Sequence, residues 1–150
     1  WFGDAAITVP VGVVSAGDEE LIACAKDTLY EAIAAIKVGM RFKELSLILE
    51  NSIRSRGFVP LYSFCGHGIG RKPHEEPEIP NYLEGKDAKS GPKIKNGMVF
   101  CIEPMICQKD SKPVILENGW DVVSADGLRG SHYEHTVAIV NGKAEILSIA

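Results

Sequence analysis

The chain has 150 residues, 45% hydrophobic and 24% charged, with a net charge of −4 and a pI near 5.6, values ordinary for one globular domain with a single sizeable core. Its lysines and arginines are scattered rather than clustered, which argues against a nucleic-acid face. No run of roughly 18 apolar residues offers a membrane span, and no signal peptide opens the chain, so the cytoplasm is the expected compartment.

The opening, WFGDAAITVPVG, lacks an initiator methionine and begins inside an alternating run, with Ile7 and Val9 flanking Thr8 as in a strand. It reads as a piece of something longer. Residues 18–38 carry a helical stripe of Leu21, Ile22, Ala25, Leu29, Ile33 and Ile36. Asp18, Glu19 and Glu20 stand in its first turn, where the positive end of the helix dipole favours anions, and Gly39 is the stop. A second helix is predicted over 43–56, with Leu45, Ile48, Leu49 and Ile53 inward and Gly57 after it. Strand-like runs follow at 58–64, 98–106, 112–117, 120–124, 133–140 and 143–149, with hairpin turns at Asn118-Gly119 and Asn141-Gly142. Residues 71–97 read as a connection without periodicity. Two helices and an antiparallel sheet predict an α+β fold. Cys24, Cys65, Cys101 and Cys107 form no CxxC pair and are expected to be reduced thiols.

Three acidic residues interrupt strand-like runs: Asp4 before AAITV, Glu103 in MVFCIEPMI and Glu134 in HYEHTVAIV. A buried carboxylate needs a partner. A strand-end turn would serve Asp4, and local salt bridges would serve the two glutamates. A divalent cation would serve all three at once, joined by His67 in the glycine-flanked FCGHGIG. One imidazole and three carboxylates suit Mn, Fe, Co or Zn in an open site. Carboxylates also bridge, so two ions could share a water and lower its pKa. His74, in the stiff acidic KPHEEP, is left as a hydrogen-bond donor to a substrate carbonyl or as a solvated loop histidine.

The motifs FCGHGIGRKPHEEPEIPNY (64–82), FCIEPM (100–105), ENGW (117–120) and YEHT (133–136) stand in an order that resembles the type I methionine aminopeptidases. FGDAAITVPVG resembles the segment of that family that supplies an aspartate ligand. The likeness runs from residue 2 to about residue 148. It implies the pita-bread α+β fold, here its C-terminal portion, with residues 1–150 forming part of a single metallo-aminopeptidase catalytic domain. It implies removal of the initiator methionine from nascent polypeptides when the next residue is small. Asp4, His67, Glu103 and Glu134 match metal ligands, Asp4 and Glu134 at bridging positions between two divalent ions. Glu103 also matches a general base, His74 a contact to the scissile peptide, and Trp120 an aromatic at the methionine pocket. The interval between Glu103 and Glu134 is too short for the insertion of the type II enzymes.

Two departures accompany the resemblance. Pro73 stands where many members carry a phenylalanine of the methionine pocket. A further aspartate ligand and a further histidine of the family belong to segments before Trp1, so the second ion site is expected to be incomplete in this chain. The 150 residues alone are therefore expected to fold poorly and to be inactive or weakly active. A non-catalytic module of the same fold, or a prolidase-like hydrolase, is the alternative.

Overall fold

A computed structural model of the protein describes residues 1–149. The order is β1 (Ala5–Ala6), α1 (Ala16–Ala35), α2 (Phe42–Ser55), β2 (Val59–Pro60), β3 (Cys65–Gly68), β4 (Glu75–Pro80), β5 (Val99–Ile102), β6 (Met105–Cys107), β7 (Pro113–Ile115), β8 (Val122–Ser124), β9 (Gly130–His132), β10 (Glu134–Val140) and β11 (Lys143–Ile146). The main sheet runs β1-β10-β5-β3-β4, with β11 also on β10; β2-β6-β9 and the β7-β8 hairpin form two smaller sheets. Every strand pair is antiparallel. This is the expected α+β class.

The helices form where their caps and stripes direct. Ser15 caps α1: its hydroxyl accepts the Asp18 amide at 3.2 Å and donates to the Asp18 carboxylate at 2.8 Å. Arg129 adds an ion pair to the same carboxylate, whose pKa is lowered chiefly by the Ser15 hydroxyl. The helix ends at Ala35, short of the expected 38, because Ile36 turns extended to remain in the core. Gly39, at φ 92°, then supplies the left-handed step that the stop requires. At the start of α2, the Glu44 carboxylate accepts the Arg41 amide at 2.8 Å. A 2.8 Å hydroxyl–hydroxyl bond between Thr28 and Ser52 joins the helices inside their interface.

Both helices cover one face of the main sheet. Leu29, Ile33, Phe42, Leu45 and Leu49 pack against Ile79, Phe100, Ile102, Val137 and Ile139, with Phe42 and Phe100 edge to face at 5.1 Å. Because side chains alternate along a strand, burying Phe100, Ile102, Val137 and Ile139 under the helices turns Cys101, Glu103, Glu134 and Thr136 to the opposite face. Register confirms the pairing, with Thr136 opposite Cys101 and His135 opposite Ile102.

Several strands differ from expectation. The run at 7–9 is not a strand: pairing stops at Ala6, and Ile7 and Val9 are exposed. Beyond that point Thr8 uses its hydroxyl, not a backbone ladder, to hold β9. The run at 58–64 keeps only Val59–Pro60, and the histidine-bearing stretch after it becomes β3. The supposed connection 71–97 contains β4, paired to β3 through Cys65–Pro80, Gly66–Ile79 and His67–Glu78. Its EEPEIP composition hides the strand, since only Ile79 is fully apolar and buried. Glu103-Pro104 divides 98–106 into β5 and β6, which belong to different sheets.

Candidate metal centre

The helix-free face of the main sheet gathers the predicted ligands. Glu134 opens β10 and Glu103 follows β5, two residues beyond the Cys101–Thr136 pair on each strand, so the two carboxylates are cross-strand neighbours. His67 comes from β3 on the same face, its Nε2 3.3 Å from Glu103 Oε1. Its Nδ1 lies 3.0 Å from the Gly68 carbonyl. A carbonyl only accepts, so Nδ1 carries the hydrogen and Nε2 presents its lone pair to the carboxylates. Asp4 is brought in by Thr136, whose hydroxyl accepts the Asp4 amide at 2.8 Å and donates to the Asp4 carbonyl at 2.7 Å.

The close approach of β3 depends on its glycines. A Cβ on Gly66 would lie 2.4 Å from the Cys101 carbonyl oxygen, and one on Gly68 2.2 Å from the Glu76 carbonyl oxygen. The GHG sequence is thus what lets His67 stand against β5. Asn81, completely buried, donates from Nδ2 to the Glu103 carbonyl at 3.0 Å and fixes the end of β5.

Three overlapping groups have donor atoms within 4.8 Å of one another: Asp4, His67 and His74; His67, Cys101 and Glu134; Glu103, His132 and Glu134. His74 sits with its ring 4.4 Å from that of His67, edge to face. Both border an open cleft of about 610 Å³. The structure therefore brings together Asp4, His67, His74, Glu103 and Glu134. Trp120 stands apart from them, 85% exposed on the β7–β8 hairpin, with its amide bonded to Asn118. Pro73 is exposed in the loop leading to β4.

The electrostatics fit a cation. Burial raises the Glu103 carboxyl to about 8, aided by the Glu134 and Asp4 charges. Burial and Asp4 raise Glu134 to about 7. Among the described residues no lysine or arginine pairs with either glutamate. Glu103 Oε1, Glu134 Oε1 and His132 Nε2 are buried without hydrogen-bond partners, a costly arrangement unless something else binds them. Oxygen and imidazole donors converging in this way suit a divalent first-row metal. The thiol of Cys101 is pushed up to about 12, mainly by burial, and is 3.5 Å from the Thr136 hydroxyl; it stays protonated beside the carboxylates.

His132, Thr136, Thr8 and Asn81 are site residues that sequence reasoning missed. A signal existed for the first: in SHYEHT, His132 precedes Glu134 by two residues, the spacing that places two side chains on one side of an extended chain. The clamping hydroxyls had no such signal, since their partners lie 124 and 132 positions away in sequence.

A family model described as metallopeptidase family M24 matches residues 1–141. A methionine aminopeptidase of Helicobacter pylori is 64% identical over 149 residues, covering 99% of this chain and 59% of the relative. The chain thus spans about three fifths of that curated relative's length. The crystal structure of a methionine aminopeptidase from Thermotoga maritima superposes with a TM-score of 0.94 at 38% identity, covering 99% of this chain and 58% of that one. A prolidase from Pyrococcus furiosus gives 0.74 at 28% identity, over 99% and 37%.

Proposed function

This chain belongs to metallopeptidase family M24, and from that premise we propose that it carries the metal-binding part of an enzyme that removes N-terminal methionine from nascent polypeptides whose next residue is small. The observation that carries the reading is the buried Glu103–Glu134 pair facing His67, with no lysine or arginine among the described residues to neutralise it. Residues 1–150 form the C-terminal portion of one catalytic domain. Asp4, His67, Glu103 and Glu134 would hold divalent metal, which would supply an activated water and a Lewis acid. A second ion would draw on a further aspartate from outside these residues.

The chain's own groups divide the remaining work. Glu103, packed beside its fellow carboxylates, takes a proton from the attacking water and returns it to the leaving amine. His74, at the open edge of the cleft, donates a hydrogen bond to the scissile carbonyl and to the charge that grows on its oxygen. Trp120, on the exposed hairpin, contributes to methionine recognition. The enzyme acts in the cytoplasm, where new polypeptides first present that methionine.

The prolidase-like alternative is disfavoured by its lower TM-score and identity. The full-length protein that carries this chain, given Co(II) or Mn(II), is expected to release methionine from Met-Ala-Ser and to leave Ala-Pro intact. Glu103→Gln is expected to lower kcat by at least about 100-fold. Preferential cleavage of Ala-Pro, or an undiminished kcat in the variant, would overturn the reading.

A further inference from the structure

His132 is unexplained by the ligand set above. It ends β9, where its side chain is about one-third exposed while Nε2 is buried and without a partner. Nε2 lies 3.7 Å from Glu103 Oε2 and 3.9 Å from Glu134 Oε2. Those separations are too long for hydrogen bonds, which close at about 2.7–3.2 Å. With bonds of about 2.0–2.2 Å, adjacent ligands stand roughly 3–3.6 Å apart and opposed ones near 4.2 Å, so these separations fall between the two, the range of wide-angle neighbours on one ion. Glu103, His132 and Glu134 together meet the size of one coordination shell.

The backbone beneath His132 is held accordingly. The Thr8 hydroxyl accepts the His132 amide at 2.9 Å and donates to its carbonyl at 2.9 Å. Thr136 does the same for Asp4 on the other side of the centre. Two threonines thus lace the N-terminal segment to β9 and β10 and fix one proposed ligand each. His132 further pairs with Met105 across β6, which sets it beside the Glu103 end of the adjoining chain.

We propose that His132 is a metal ligand through Nε2, joining Glu103 and Glu134 on one ion and making the centre a two-histidine site with His67. The inference rests on the metal-centre reading given above. It is tested in the full-length protein carrying this chain, labelled with ¹⁵N at histidine and loaded with ¹¹³Cd. One-bond cadmium–nitrogen coupling is expected at two imidazoles, with His132→Gln abolishing one of them. The same variant is expected to bind Cd(II) at least about tenfold more weakly. Coupling at His67 alone would overturn the assignment of His132 and leave the centre standing. Coupling at no histidine would overturn both. The wild-type spectrum decides the matter even where the variant fails to fold.

Discussion

Glu103 shows how burial turns an acidic residue into a pH-dependent liability. In the metal-free protein its carboxyl is raised to about 8, first by desolvation and then by Glu134 and Asp4. The folded state consequently binds more protons than the unfolded chain between about pH 4.5 and 8. Stability from this group is complete below the lower value and is lost as pH rises through the upper one; Glu134, raised to about 7, acts in the same direction. The metal-free full-length protein is expected to lose thermal stability between pH 5 and 8, and Glu103→Gln to flatten that slope. Because metal displaces those protons, Co(II) affinity is expected to rise over the same interval. A thermal melt series with and without Co(II) reads both effects; a slope unchanged by Glu103→Gln would remove Glu103 as its cause.

The β3–β5 contact sets the geometry one scale up. Gly66 faces the Cys101 carbonyl so closely that an added methyl would lie 2.4 Å from its oxygen. Backbone on a central strand cannot move aside as a side chain would. Gly66→Ala is therefore expected to cost about 1–3 kcal/mol in denaturant unfolding, and to weaken metal binding because His67 moves with β3. Gly57→Ala offers the control: its surroundings are open but its φ is 84°, so stability falls while metal affinity stays unchanged. Thr136→Val removes both hydroxyl bonds to Asp4 while keeping the side-chain shape. It is expected to weaken Co(II) binding about tenfold, measured by calorimetry.

Across the whole molecule, helices cover one sheet face and the candidate centre occupies the other, with a row of apolar side chains left open at the amino end. Trp1, Val11 and Val13 are almost fully exposed, and Phe2, Ile7 and Val9 more than half exposed. Exposed apolar side chains concentrated in the first 13 residues favour association. The 150-residue chain produced by itself is expected to self-associate at micromolar concentration and to release little methionine from Met-Ala-Ser. Monodisperse behaviour in analytical ultracentrifugation together with robust release would contradict that expectation. Among the described residues no helix is long and apolar enough to cross a membrane.

The sequence by itself determined the two helices, through the Leu21–Leu29–Ile33 and Leu45–Leu49–Ile53 stripes, and the α+β class. It also singled out Asp4, Glu103 and Glu134 as carboxylates beside or within apolar runs, and His67 by its flanking glycines, with the ordered motifs supporting all four. Tertiary structure alone decided that β4 is a strand, since EEPEIP carries almost no alternation and pairs only because the glycines of β3 admit it. It alone brought in Thr8, Thr136 and His132, and left Trp120 outside the cluster. The physical reason is range: helix stripes and caps are written within a few residues, whereas a ligand cluster depends on strand register between segments from about 30 to 130 positions apart.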